Sequence, residues 1–256
     1  MAYKKNNITV LIAARMGSSR FPGKTLMDLH GKPMLERQIE RIKDSRHIDN
    51  IIVATTIRKE DSKIEEWCDC FNIGCFRGSD TDVLGRLLGA TERFNISTIV
   101  EILGDNPLID ASLIDSAIEL FFENTLDYVA TLTDEYPKAD LALNRFPLGV
   151  RVQVFSKNTI EICSRLANSV KYREHATSFI AENPNIFKTD YITAKDKFEL
   201  YNFPDLTFAV NVPANLELIR NIFKECYDKN PCFSVSDAIK VFHLYPKWGL
   251  LMGNNA

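Results

Sequence analysis

The stretch ITVLIAARMGSSRFPGKTL, Ile8 to Leu26, holds the strongest structural signal in the chain. Its first part, ITVLIAA, is β-branched and apolar on both faces, which predicts a fully buried parallel strand rather than a half-exposed one. The run ends abruptly in a loop with Arg15, Gly17, Ser18, Ser19, Arg20, Gly23 and Lys24. Open α/β sheets hold their ligands at the carboxyl ends of such strands. Small residues let backbone N–H groups approach an anion, and three cations supply the opposite charge. The expected ligand is a polyphosphate.

Two familiar phosphate loops do not fit. Five residues, Ser18 to Pro22, separate Gly17 from Gly23, one more than a Walker A motif allows, and Pro22 removes a backbone donor. No G-x-G-x-x-G follows the strand, so the dinucleotide fingerprint is absent as well.

Strand and helix patterns alternate outward from this segment. A helix is expected from Pro33 with Leu35, Ile39 and Ile42 as its apolar stripe, then a strand at 51–56 and a helix from Asp61 carrying Ile64 and Trp67. A short strand ending in CFRGSD (75–80), the amphipathic VLGRLLGATERF and the strand STIVEILGD (97–105) complete the first half. This alternation predicts an α/β fold with a mixed, mainly parallel sheet flanked by helices. The second half is less regular. Strands are expected at 128–133, 150–156 and 207–211, with the loop 134–149 lying over the site. Helices are expected from Lys157, over Tyr172–Ala181, through Leu216, Ile219 and Phe223, and from Ser234, capped by Ser234 or Ser236. The organisation expected is one domain over 1–256, with a regularly alternating first half (1–127) and a less regular second half (128–256).

Bulk properties narrow the class. The 256 residues are 45% hydrophobic and 25% charged, as in an ordinary soluble enzyme. A formal charge of −3 gives no sign of a nucleic-acid surface. No run approaches the ~20 apolar residues that span a bilayer, and the polar start lacks a secretory pattern. A cytoplasmic enzyme with reduced thiols is expected; Cys68, Cys70 and Cys75 lack a second pair and a nearby histidine for zinc.

Asp105 is the second informative residue, because a carboxylate stands where a buried strand leaves the sheet. Beside a phosphate loop it suits Mg²⁺, which takes one or two carboxylates plus substrate phosphates. Its bland alternative is a turn or helix cap. Arg145, in NRFPLG, is placed to pair a sugar carboxylate or to lie on a loop surface.

The segments IAARMGSSRFPGK, FRGSDTDVL, EILGDNPLID, KYREHATSFI and VNVPANLELI, in this order, resemble the cytidylyltransferases that activate acidic sugars. These include the 3-deoxy-manno-octulosonate cytidylyltransferases and the spore-coat polysaccharide branch. The resemblance implies a glycosyltransferase-A-like fold and transfer of CMP from CTP to an acidic sugar, with pyrophosphate released and Mg²⁺ as cofactor. It implies that Ala13, Ala14, Arg15, Gly17, Ser19, Arg20 and Lys24 hold the nucleotide, with Arg15, Lys24 and Asp105 carrying the chemistry. Arg77, Asp80 and Asp82 correspond to the base and ribose wall, and Glu174 and His175 to the sugar side. Relatives often pair through the second half, so a homodimer is expected, with VRVQVFS (150–156) as an exposed edge. The chain departs from the family where a V-D-T-P-E-D pattern is usual. Here it reads Val210, Asn211, Val212, Pro213, Ala214, Asn215. Asn211 still offers a carbonyl oxygen to the metal but no charge; an ion pair at ~4 Å is worth about 4 kcal/mol at an effective dielectric near 20. Compensation by Asp80, Asp82 or the substrate, or loss of turnover, are the alternatives. A binding homologue without turnover and a glycosyltransferase on the same fold are the competing functions.

Overall fold

The structure, a computed structural model, describes residues 7–135 and 144–253. In chain order, β1 (Ile8–Ala13) leads through the loop to a two-residue hairpin, β2 (Asp28–Leu29) and β3 (Lys32–Pro33), and then to α1 (Met34–Lys43). His30 and Gly31 turn that hairpin with φ of 54° and 81°, the left-handed pair that a tight hairpin requires. Then come β4 (Asn50–Thr56), α2 (Ser62–Cys70), β5 (Gly74–Gly78), α3 (Val83–Arg93), β6 (Thr98–Leu103) and α4 (Ala111–Glu123). The second half adds β7 (Tyr128–Thr131), β8 (Gln153–Ser156), α5 (Lys157–Leu166), α6 (Val170–Glu174) and α7 (Ser178–Glu182). It ends with β9 (Thr189–Ile192), α8 (Pro213–Cys226) and α9 (Val235–Leu244).

Seven strands form one sheet in the order β5-β4-β1-β6-β8-β7-β9. β8 runs antiparallel to both its neighbours and the other pairings are parallel, so the sheet is mixed and mainly parallel as expected. β1 sits near its middle because Ile8, Val10, Leu11 and Ile12 are apolar on both faces and each is 0% exposed. One face is covered by a core that includes Leu35, Ile39 and Ile42 of α1 and Leu113 and Ile114 of α4. The other face is covered by Leu84 and Leu87 of α3 and Ile160 of α5. Truncating one such leucine to alanine typically costs about 2–5 kcal/mol.

Three expectations are corrected. VRVQVFS is no exposed edge: β8 lies between β6 and β7, and its polar Gln153 is buried against Glu101. TFAVN (207–211) makes only one bridge, Leu148 to Thr207, because its Val210 N–H and carbonyl go instead to Asp105 and Lys24. The helix expected over Tyr172–Ala181 is two short ones, α6 and α7, interrupted at His175–Thr177. Residues 136–143 of the expected loop lie outside the described residues.

Candidate functional site

A cleft of about 610 Å³ opens at the carboxyl ends of β1 and β6. The phosphate-type loop forms one wall and is pinned at several points. The Met16 N–H donates to Asp61 Oδ1 (2.6 Å), the Thr25 hydroxyl donates to the Arg15 carbonyl (2.9 Å), and Gly23 N–H donates to the Met16 carbonyl (2.8 Å). Gly23 takes φ of 78°, a left-handed conformation that costs a glycine little. Gly104 lets β1 and β6 close tightly at this end, since a Cβ there would sit 2.9 Å from that of Ala14.

Lys24 joins the two walls. Its Nζ donates to Asp105 Oδ2 at 3.1 Å and to the Val210 carbonyl at 2.5 Å. The Val210 N–H in turn donates to the Asp105 carbonyl at 2.9 Å, which brings the 210–211 segment against the end of β6. Next along, Asn211 Oδ1 accepts from Arg20 Nη2 at 3.2 Å. Lys24, Asp105, Arg20 and Asn211 thus converge on one corner of the cleft, and Arg15, paired with Asp80 at 3.4 Å, flanks it. Lys24, Arg20 and Arg15 against Asp105 and Asp80 leave one positive charge in excess at the corner, suited to a polyanion.

A second group forms the floor, deeper under α3. Glu101 of β6 is 4% exposed and accepts from Gln153 Nε2 at 2.8 Å. Gln153 Oε1 accepts from the Tyr128 hydroxyl (2.5 Å) and from Arg151 Nη2 (2.9 Å). Arg86, also 4% exposed, gives Nη1 to the Ser79 carbonyl at 2.6 Å. Burial pushes the Glu101 carboxyl above its ordinary value, and the Arg151 and Arg86 charges oppose that shift. Sequence reasoning missed this floor, although a glutamate inside the apolar run TIVEIL and the polar face of VRVQVFS were its visible signals.

Of the residues expected at the site, Ala13, Ala14, Arg15, Ser19, Arg20, Lys24, Asp105, Glu174, His175 and Asn211 all line this cleft. Gly17, Arg77, Asp80, Asp82 and Arg145 do not. Arg77 is held by the Thr56 and Arg58 carbonyls and by Glu65, bracing β5 on α2. Asp80 pairs with Arg58 (2.6 Å) as well as Arg15, while Asp82 caps α3 through the Gly85 N–H and pairs with Arg173. Both carboxylates are engaged by arginines. Arg145 pairs with Asp134 at 2.6 Å. Asp110, rather than Asp105, caps α4.

The sheet and its flanking helices have the nucleotide-sugar transferase fold. A sequence model of the family described as cytidylyltransferase matches residues 9–234, so the chain belongs to that family. The chain is 28% identical over 246 residues to the spore coat polysaccharide biosynthesis protein SpsF of Bacillus subtilis, covering 94% of this chain and 96% of that protein. It is 37% identical over 128 residues to a 3-deoxy-manno-octulosonate cytidylyltransferase of Geobacter sulfurreducens, covering 49% and 50% of the two chains. The solved structure of a cytidylyltransferase from Leptospira borgpetersenii superposes with a TM-score of 0.84 at 26% identity, over 98% of each chain. Among the described residues no helix is long and apolar enough to cross a membrane.

Proposed function

We propose that the protein transfers CMP from CTP to an acidic sugar, releasing pyrophosphate, in the synthesis of a surface polysaccharide. The convergence of Lys24, Arg20, Asp105 and Asn211 on one positive corner carries this reading. The triphosphate lies against the loop with its charge on Lys24, Arg15 and Arg20. The sugar enters past Glu174 and His175, and its hydroxyl attacks the α-phosphorus. Fixed cations stabilise charge as it builds on the departing pyrophosphate.

The residues fit Mg²⁺. Asp105 supplies one hard carboxylate oxygen and Asn211 a neutral one, both on the cleft lining. Such a sparse donor set suits a cation whose shell is completed by phosphates and water. When bound, the ion neutralises phosphate charge and orients the α-phosphorus. Asp105 and Asn211 would hold it, with Lys24 then left to pair with phosphate. A homodimer belongs to the same reading. With β8 internal, the open sheet edge in the second half is β9.

The test incubates the protein with Mg²⁺, each nucleoside triphosphate and a panel of 2-keto-3-deoxy sugars, following pyrophosphate. Release with CTP and an acidic sugar is the expected result. CTP binding without release from any pair marks a binding homologue instead. Hydrolysis of a finished nucleotide sugar without pyrophosphate marks a glycosyltransferase.

A further inference from the structure

One buried carboxylate of the cleft lacks the counter-ion that burial ordinarily demands. Glu101 is 4% exposed yet lines the cleft, and its Oε2 accepts from Gln153 Nε2 at 2.8 Å. Among the described residues its Oε1 accepts no hydrogen bond, and neither oxygen forms an ion pair. The cations around it are committed elsewhere. Arg151 donates through Nη2 to Gln153 Oε1 (2.9 Å) and to Thr177 Oγ1 (3.2 Å), and its Nη1 lies 3.7 Å from Glu135. Lys171 pairs with Glu182 at 2.6 Å, and Arg86 gives Nη1 to the Ser79 carbonyl. The Arg151 and Arg86 charges ease the burial of Glu101 without cancelling it, and its carboxyl stays above its ordinary value.

These contacts also place Glu101 relative to the substrates. Arg151 ties the Glu101–Gln153 pair to Thr177, two residues beyond His175, so the carboxylate joins the side of the cleft on which Glu174 and His175 stand. That side receives the sugar in the reading above. A buried charge is stable when it is paired as well as hydrogen-bonded. A sugar hydroxyl offers Oε1 a donor but no charge, whereas an ammonium group offers both.

We propose that Glu101 receives a primary ammonium group of the sugar, so that the acceptor substrate is an amino-substituted sugar acid. This rests on the nucleotidyl-transfer reading and names its substrate class. The sugar then brings its own cation to the pocket, and a sugar acid without one leaves the Glu101 charge unbalanced.

The test measures dissociation constants by calorimetry, with Mg²⁺ and an α,β-methylene analogue of CTP present. Its ligands are pairs of 2-keto-3-deoxy sugar acids that differ only in a hydroxyl or a primary amine at one carbon. At one position of the amine, the wild-type protein is expected to bind the amino sugar at least tenfold more tightly than its hydroxyl partner. N-acetylation, which removes the charge, is expected to abolish that preference. Glu101→Gln, nearly isosteric, is expected to lose the preference while keeping wild-type affinity for the CTP analogue, which shows that it folds. A wild-type protein that prefers the amine at no carbon overturns the proposal without any variant having to fold. So does equal binding of an amino sugar and its N-acetyl derivative, or a preference kept in Glu101→Gln. Selective binding of an amino sugar with no pyrophosphate release from CTP itself supports this inference and overturns only the transfer reading. Pyrophosphate release that is indifferent to the amine overturns this inference and leaves the transfer reading standing. Absence of binding by every sugar overturns both.

Discussion

Lys24 is a nearly buried ammonium with two fixed acceptors, Asp105 and the Val210 carbonyl, so its position is set by both cleft walls. Lys24→Ala is expected to lower kcat/KM for pyrophosphate release by roughly 10²–10³, the usual scale for removing one group that stabilises developing charge. A loss below tenfold would remove Lys24 from the chemistry. Glu101 makes a different prediction. Burial raises its folded-state pKa above the ordinary 4.5. Its contribution to stability is therefore fully present below that ordinary value and is lost as pH rises through the folded value. Glu101→Gln does not titrate, so its stability relative to wild type should improve between pH 4.5 and neutrality in urea melts. A constant difference across that range would mean that Glu101 titrates alike in folded and unfolded chains. At this scale the loop's placement was legible, because Arg15, Arg20 and Lys24 line the cleft where they stand in sequence. Arg77 and Arg145 were not. An arginine's partner is chosen by the tertiary fold, and here both found carboxylates outside the cleft.

Among the elements, α9 shows a local signal fully kept. Ser234 accepts from the Asp237 N–H at 3.2 Å, and Asp237 accepts from the Ser234 N–H at 3.0 Å, a reciprocal cap. Ser234→Ala is expected to cost about 1 kcal/mol in denaturant melts. The Ser234 N–H holds the Asp237 carboxyl below its ordinary 3.8. Its stabilisation is thus present above that value and fades as the solution is acidified below it, so Asp237→Asn should destabilise at pH 7 but hardly at pH 2. Long apolar strands and amphipathic helices were readable because their periodicity is itself the packing pattern. The breaks were less so. Nothing in YREHATSFIA announces the interruption at His175–Thr177, and TFAVN has strand-forming residues whose backbone is claimed by the cleft.

For the whole molecule, two of the three neutral replacements in the family's acidic pattern, Asn211 and Asn215, divide. Asn211 faces the cleft. Asn215 faces the tail: its Oδ1 accepts from the Asn211 and Val212 N–H groups, and its Nδ2 donates to the carbonyls of Leu251 and Met252. An aspartate there would confront those carbonyls with oxygen. Asn215→Asp is expected to destabilise by about 1–3 kcal/mol, read from urea melts at neutral pH. An unchanged midpoint would show that the tail is not fastened there. The polar side of VRVQVFS was visible in sequence but its setting was not, since an internal strand and a wetted edge share the same alternation. The Lys24–Asp105 pair has one further consequence. At rest each is the other's counter-ion, so on the function proposed here bare magnesium would have to evict an ammonium before docking. A magnesium–nucleotide complex offers both a new companion simultaneously. Titration with the metal alone should therefore be nearly silent, and the same titration after nucleotide is added should saturate.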